Sequence, residues 1–259
     1  MTSRSAVSPE TRRVLGMLVH ATSYAQATGQ ILDWARSAES RYVSAASVNN
    51  VMEAHDSRDF GRIMQQADLV TPDGMPLVWG LRLLGARGAR RVYGPRLTEH
   101  VLGAAEREGI PVGLYGGTPD VLERLLSALH RRWPRLAVPY AFAPPFRPLS
   151  ASEDAAAAGS IRDSGARILL IGLSTPKQER WMAAHRGRIP AVMLGVGAAF
   201  DFLAGVKPQA PAWMQNSGLE WFFRLATEPR RLFWRYLKHN PRFAALFAWQ
   251  LLHVSKERI

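Results

Sequence analysis

The sequence contains no cysteine, which excludes disulfide bonds, thiolate metal sites and catalysis by a thiol. It also lacks a run of about 20 consecutive apolar residues, so we expect no membrane-spanning helix. The first 30 residues lack the apolar core of a secretory signal, which favours a cytoplasmic protein. None of the seven histidines is spaced for a metal site, so we predict no metal and no cofactor.

What is abundant is basic charge on a chain long enough to bury a core. The 259 residues are 47% hydrophobic and include 33 Lys and Arg against 21 Asp and Glu, for a net charge of +12. Such a charge predicts attraction to nucleic acid, to an anionic membrane or to a phosphorylated substrate. Charge alone does not choose among these three.

Short apolar runs alternate with segments of helical periodicity along most of the chain. This alternation predicts an α/β fold with a parallel sheet covered by helices on both faces. Ligands of such sheets bind outside the carboxyl ends of the strands. The six predicted strands cover residues 42–48, 69–70, 112–115, 136–142, 168–173 and 192–196.

The composition changes after residue 204. Residues 205–259 carry nine Lys or Arg against three Glu, and they hold four of the eight tryptophans. We predict helices over 219–225, 230–238 and 242–254, separated by Pro229 and Pro241. The expected organisation is a catalytic domain over 1–204, with a helical segment at 1–35, followed by a helical appendage over 205–259.

The basic and aromatic appendage suits docking on an anionic membrane surface, where tryptophan rests at headgroup level. The alternative is that its aromatic residues pack on the α/β domain and its arginines are solvated. A nucleic-acid-binding tail is a second alternative, because aromatic residues between cations can hold single strands. No nucleic-acid-binding motif is present, however, and we do not expect a nucleic-acid partner.

The turn Thr71-Pro72-Asp73-Gly74 follows a predicted strand and presents a carboxylate at its end. A carboxylate in that place can act as a general base on an attacking hydroxyl. The alternative is that Asp73 caps the next helix or closes the turn.

Polar residues follow other strands in the same way. Ser47 and Asn49 are placed to hydrogen-bond a sugar or a base, unless they only form a turn or a helix cap. Arg91 can bind a diphosphate through its forked guanidinium, unless it is simply solvated.

Two further segments combine a strand end with a helix start. Gly116 and Gly117 form a turn whose backbone N–H groups can receive phosphate. Gln178 and Glu179 begin a helix after Gly172-Leu173-Ser174-Thr175-Pro176-Lys177, and we expect Gln178 to point toward the same rim as Asp73. An ordinary helix N-terminus with a favourable acid is the alternative.

Taken in order, these segments resemble the bacterial WecG/TagA/CpsF glycosyltransferase family, also called glycosyltransferase family 26. The resemblance runs from about residue 42 to residue 237. Its motifs are Ser47-Val48-Asn49, Ala67-Asp68-Leu69-Val70-Thr71-Pro72-Asp73-Gly74, Arg91-Val92-Tyr93-Gly94, Tyr115-Gly116-Gly117, Pro176-Lys177-Gln178-Glu179-Arg180-Trp181, Gly195-Val196-Gly197 and Leu219-Glu220-Trp221-Phe222-Phe223-Arg224-Leu225.

The resemblance implies a Rossmann-like domain and an inverting, metal-independent glycosyltransferase of cell-envelope polysaccharide biosynthesis. The implied donor is a UDP-sugar with a hexosyl or N-acetylhexosaminyl (ManNAc-type) group. The implied acceptor is a polyprenyl-diphosphate-linked saccharide at the inner face of the cell membrane, where the protein would be peripheral. Exopolysaccharide is one product class of the family, and a homo-oligomer is left open.

The resemblance also implies roles for individual residues. Asp73 matches the family's candidate base, while Ser47 and Asn49 match a pocket near donor and acceptor. Arg91 and Gln178 match substrate-binding positions. The appendage arginines that would approach the acceptor diphosphate are Arg224, Arg231 and Arg235.

Overall fold

The computed structural model describes residues 9–254, except the side chains of Ala212, Asn216, Arg231 and Val254. Within this range the chain forms a two-stranded hairpin and a six-stranded sheet. The strands are β1 (Glu10–Val14), β2 (Met17–Ala21), β3 (Arg41–Ala46), β4 (Leu69–Pro72), β5 (Val112–Gly116), β6 (Tyr140–Phe142), β7 (Ile168–Gly172) and β8 (Val192–Gly195).

The six-stranded sheet has the order β4-β3-β8-β7-β5-β6, and all its neighbouring strands are parallel. Its four central strands are apolar and almost completely buried, as expected for a sheet covered on both faces. This confirms the predicted α/β fold with a parallel, Rossmann-like sheet flanked by helices and followed by C-terminal helices.

Helices connect the strands and form the C-terminal region. Their starts follow local rules: at α6, for example, Thr118 accepts a hydrogen bond from the Val121 N–H and Pro119 occupies the first turn. The helices are α1 (Tyr24–Arg36), α2 (Val48–Asp56), α3 (Arg58–Gln65), α4 (Met75–Leu83), α5 (Gly94–Glu108), α6 (Pro119–Arg132), α7 (Ala151–Asp163), α8 (Lys177–His185), α9 (Ala199–Leu203), α10 (Ala212–Ser217), α11 (Glu220–Thr227) and α12 (Pro229–Val254).

The hydrophobic core has two parts, one on each face of the sheet. Helices α1, α5, α6 and α9 contribute buried residues to one part. Helices α2, α3, α4, α7 and α8 contribute to the other, together with Phe243 and Phe247 of α12. The appendage is therefore fixed to the α/β domain by apolar packing as well as by its chain connection.

The prediction of a helical segment over residues 1–35 is corrected by the structure. Residues 10–21 form the β1–β2 hairpin, and helix begins only at Tyr24. The two turn residues, Leu15 and Gly16, have φ of 47° and 85°, and two positive φ values give a turn that matches the twist of a hairpin. Residues 1–8 lie outside the described residues.

The predicted break at Pro241 is also corrected. Helix α12 continues through Pro241 to Val254, although proline removes one backbone hydrogen bond. Contacts on the C-terminal side of Pro241 hold the helix in place. Arg242 pairs with Asp56 of α2 at 2.8–2.9 Å, and Gln250 exchanges hydrogen bonds of 2.7–2.8 Å with the hairpin backbone.

Within residues 9–254, we find no helix whose length and hydropathy together would suffice to cross a membrane.

Candidate active site

A cavity of about 610 Å³ lies at the carboxyl ends of β3, β4, β7 and β8. Its floor is formed by the turns that follow these strands, and α11 and α12 of the appendage line it as well. These four strands are neighbours in the sheet, so their ends meet at one edge. Seven predicted site residues line this one cavity, namely Asp73, Ser47, Asn49, Arg91, Gln178, Arg224 and Arg235.

Asp73 lies directly after β4, and its side chain contacts the N-terminus of α5. Its backbone N–H donates to the Ala46 carbonyl at 2.9 Å, which fixes the turn to β3. Its Oδ1 accepts from the Gly94 N–H, the first residue of α5, at 2.8 Å. Asp73 therefore does not cap the helix that follows it in sequence, since its side chain contacts the N-terminus of α5 instead.

The environment of Asp73 shifts its proton affinity. Burial raises the pKa of this carboxyl group to about 6, the nearby charge of Arg91 opposes the rise, and the negative charge of Glu220 adds to it. The Gly94 N–H and Arg224 also favour the ionised form. A carboxylate with this pKa is mostly ionised at neutral pH and is more basic than an ordinary aspartate, which suits a general base.

Arg91 joins the Asp73 turn to the appendage. Its guanidinium donates to the Asp73 carbonyl oxygen at 2.5 Å, to the Gln215 carbonyl oxygen at 2.9 Å and to the Glu220 carboxylate. It also lies over the Tyr93 ring, 4.4 Å from the centroid. Most of its donors are thus engaged by the protein, and this arginine holds α10 and α11 against the site.

One wall of the cavity is built around a capped helix. Asn50 Oδ1 accepts from the backbone N–H of Ser47 at 3.1 Å and from its hydroxyl at 3.3 Å, so these residues cap α2. The capping alternative therefore holds for Ser47, with Asn50 as its partner, while Asn49 is half-buried beside them on the cavity wall. Gln178 is nearly buried in the same wall.

Glu179 is placed differently from the sequence expectation of a substrate-binding residue. It begins α8 as predicted, but its side chain is completely buried and does not line the cavity. It accepts hydrogen bonds from residues that do, which places it behind the wall.

Gly116 and Gly117 are expected to bind phosphate, but they lie at a different place along the sheet edge. Neither lines the cavity, because β7 lies between β5 and β8 in the sheet and the β5 end falls further along the edge. A Cβ on Gly116 would lie 2.6 Å from the backbone of Gly172, so this glycine permits close packing of β5 and β7.

Two of the three predicted appendage arginines reach the cavity. Arg224 of α11 and Arg235 of α12 both line it, and Arg224 lies close enough to Asp73 to influence its titration. The side chain of Arg231 lies outside the described part of the chain. The site thus combines a basic carboxylate with at least two cations.

The structure adds residues that sequence reasoning missed. Glu220 is nearly buried and pairs with Arg91, and His239 of α12 is nearly buried in the cavity wall. An apolar part of the cavity is lined by Trp79 and Leu83 of α4 and by Phe243 and Phe247 of α12. The sequence signal for this part was the shared helical spacing of its members, four residues within each helix.

Within residues 9–254, no three His, Asp or Glu side chains gather in a group that could hold a metal ion. The arginines that line the cavity are Arg91, Arg224 and Arg235.

Known proteins of similar sequence identify the family of this chain. The chain is 26% identical over 203 residues to the N-acetylglucosaminyldiphosphoundecaprenol N-acetyl-beta-D-mannosaminyltransferase of Bacillus subtilis (strain 168), covering 78% of this chain and 77% of that protein. Residues 12–257 match the model of the glycosyl transferase WecG/TagA/CpsF family. A match over nearly the whole chain shows that this protein belongs to the WecG/TagA/CpsF family and is a glycosyltransferase.

Proposed function

We propose that this glycosyltransferase moves a hexosyl or N-acetylhexosaminyl group from a UDP-sugar to a polyprenyl-diphosphate-linked saccharide, with inversion and without a metal. The observation that carries the proposal is that the Asp73 carboxylate and the cations Arg224 and Arg235 line one cavity. The Bacillus subtilis relative, named for an undecaprenol-diphosphate-linked acceptor, supports the same acceptor class.

The reaction is a single displacement. Asp73 takes the proton of the acceptor hydroxyl, whose oxygen attacks the anomeric carbon while the bond to the UDP oxygen breaks on the opposite face. The electron pair of that bond leaves with UDP. Arg224 and Arg235 lie at the cavity and offset the negative charge of diphosphate groups in a site of low dielectric.

The apolar part of the cavity supports a lipid-linked acceptor. Phe243, Phe247, Trp79 and Leu83 offer a surface for isoprenoid carbons next to the polar residues of the sheet edge. One cavity thus has room for both halves of an amphipathic acceptor, with its diphosphate near the appendage arginines.

Docking on an anionic membrane surface is the second part of the proposal, and it places the protein at the inner face of the cell membrane. Six aromatic side chains of the appendage are exposed, although exposed aromatic residues cost free energy in water. Phe243 and Phe247 are buried instead, so these two follow the packing alternative, whereas the exposed members support the docking proposal. The exposed members are Trp213, Trp221, Phe222, Phe233, Trp234 and Trp249.

Transfer is tested by incubating the full chain with single UDP-sugars and a polyprenyl-diphosphate-N-acetylglucosamine analogue. Mass spectrometry should detect addition of one sugar, and proton NMR of the product should show an inverted anomeric configuration. Asp73→Asn should abolish transfer, whereas the exposed Glu123→Gln should not. Absence of transfer from every UDP-sugar, or turnover by Asp73→Asn, would contradict the proposal.

Membrane docking is tested by sedimentation with vesicles that contain anionic or only neutral lipids, beside an oligonucleotide at the same salt concentration. We expect binding to the anionic vesicles that weakens as salt is added. Strong oligonucleotide binding without vesicle binding would support the nucleic-acid alternative instead.

A further inference from the structure

Glu179 organises four side chains from four separate parts of the fold. Its Oε1 accepts from Ser44 Oγ of β3 at 3.2 Å, Asn50 Nδ2 of α2 at 2.9 Å, Thr175 Oγ1 at 3.0 Å and Gln178 Nε2 at 3.0 Å. All four donors are uncharged, and Asn50, Thr175 and Gln178 line the cavity.

We propose that Glu179 is a positioning residue that turns the hydrogen acceptors of this wall toward the ligand, so that the site selects sugar hydroxyls that donate. The inference rests on the proposed function, because it specifies how the same cavity recognises a sugar. It assigns Glu179 no contact with the substrate.

Glu179 Oε1 is a hydrogen-bond acceptor in either protonation state of the carboxyl group. Burial raises the pKa of this carboxyl group, which favours the protonated form. A proton would reside on Oε2, which has no partner among the described residues, and Oε1 would still accept. Each of the four neighbours must therefore donate to it.

The Asn50 side chain is oriented by its contacts with Glu179 and Ser47. The Asn50 amide gives its Nδ2 to Glu179, and its Oδ1 accepts from the Ser47 backbone N–H, a group that can only donate. One end of the Asn50 amide thus faces an acceptor and the other end faces a group that can only donate, which fixes the orientation of the amide. The Ser47 hydroxyl in turn donates to Asn50 Oδ1, so Ser47 Oγ keeps one lone pair for a ligand beside the one that faces the Asn50 backbone N–H.

Thr175 and Gln178 are oriented by the hydrogen bonds that they donate to Glu179. Thr175 donates its only hydroxyl hydrogen to Glu179 and accepts from Asn50 Nδ2 at 3.4 Å, which leaves one lone pair of Thr175 Oγ1 for a ligand. Gln178 points its Nε2 at Glu179, and its Oε1 has no partner among the described residues and lies near Gly197, where a Cβ would be 3.6 Å away. Of the side chains that Glu179 and Asn50 orient, Ser47 and Thr175 therefore present acceptor oxygens at the cavity, and Gln178 Oε1 is a further acceptor that is itself buried.

Monofluoro analogues of the substrates test this inference, because fluorine replaces a hydroxyl of similar size but cannot donate. The wild-type enzyme is assayed with the UDP-sugar it uses and with that sugar fluorinated in turn at each hydroxyl position that is not adjacent to the anomeric carbon, because fluorine beside that carbon slows transfer by electron withdrawal alone. The same is done for the acceptor sugar, keeping its attacking hydroxyl intact. We expect kcat/KM to fall about tenfold or more at one position at least, since a donated hydrogen bond is lost.

Glu179→Gln then tests the residue. The amide is isosteric but can present a donor to the wall, so its neighbours can reverse their hydrogen bonds. We expect the ratio of kcat/KM between the parent sugar and the analogue that the wild type uses poorly to fall to about threefold or less. The reason is that the wall side chains no longer have to present acceptors to the ligand. Glu179→Asp, which keeps an acceptor-only group, should retain part of the wild-type ratio, and Glu123→Gln all of it.

The outcomes are separable. A wild-type enzyme that transfers the parent sugar but accepts every analogue equally well would overturn the inference without any variant. A Glu179→Gln enzyme that loses activity equally on parent and analogue would reduce Glu179 to a structural role and also overturn it. A wild-type enzyme that transfers no sugar at all would instead refute the proposed function.

Discussion

Replacing Asp73 by asparagine separates the catalytic cost of losing the carboxylate from its effect on stability. Asparagine keeps an Oδ1 that can accept from the Gly94 N–H, but it carries no charge. The variant should be inactive in sugar transfer because it cannot take a proton from the acceptor. Its stability should nevertheless increase at neutral pH.

The magnitude follows from the shifted pKa. The folded pKa of Asp73 is about 6, above the ordinary value of 3.8 expected in the unfolded chain. A raised carboxyl pKa means that wild-type stability is lost as the pH rises from about 4 to about 6, and that the loss persists above. At about 1.4 kcal/mol per pKa unit, the ionised carboxylate costs about 3 kcal/mol.

Urea denaturation followed by tryptophan fluorescence measures this difference between pH 4 and pH 8. Asp73→Asn should match the wild type near pH 4, where both side chains are neutral, and exceed it by about 3 kcal/mol at pH 8. Glu123→Gln, at an exposed position of α6, should stay close to the wild type throughout. A variant that is less stable at pH 8, or a difference that does not change with pH, would refute the argument.

Four other predictions follow from the site. The wild-type kcat/KM should fall below about pH 6 as Asp73 becomes protonated, and a rate that is flat from pH 5 to 8 would contradict its role as base. Gly195→Ala places a Cβ 2.8 Å from Met182 and 3.0 Å from Gln178, so transfer should fall and unfolding free energy should drop by about 1–3 kcal/mol. Gly29→Ala, with no atom within 4 Å of the added Cβ, is the matched control and should be no less stable than the wild type. In Arg91→Lys the shorter ammonium cannot reach all three partners, so the free energy of unfolding should drop by about 2–4 kcal/mol in a denaturation experiment. A variant as stable as the wild type would show that these three hydrogen bonds are dispensable. Trp234→Ser, at a side chain that is 72% exposed, should weaken vesicle sedimentation and leave the melting temperature nearly unchanged, whereas unchanged sedimentation would argue against docking through this side chain.

The sheet and the turns that follow its strands could be predicted because their signals are local. Apolar runs ending in turn residues placed Asp73, Asn49 and Gln178 at the carboxyl edge, and the structure brings all three to one cavity. The order of the strands is not local. Gly116 resembles a phosphate-binding turn in sequence, but its strand lies beyond β7 and away from the cavity.

The partners of buried polar groups were equally invisible in the sequence. Glu179 lies at a helix start in either interpretation, and only its depth shows that its carboxyl group lies behind the residues that line the cavity. Proline gave a misleading signal at Pro241, because tertiary contacts of Arg242, Phe243 and Gln250 outweigh the loss of one backbone hydrogen bond.

The continuity of α12 connects two distant parts of the molecule. This helix of 26 residues, with Pro241 inside it, is about 39 Å long. Its C-terminal half is tied to α2 and to the hairpin, while Arg235 and Tyr236 reach the cavity mouth from the other half. The short helices α10 and α11 are bound to the site in another way, because Arg91 ties Gln215 and Glu220 to the turn that carries Asp73.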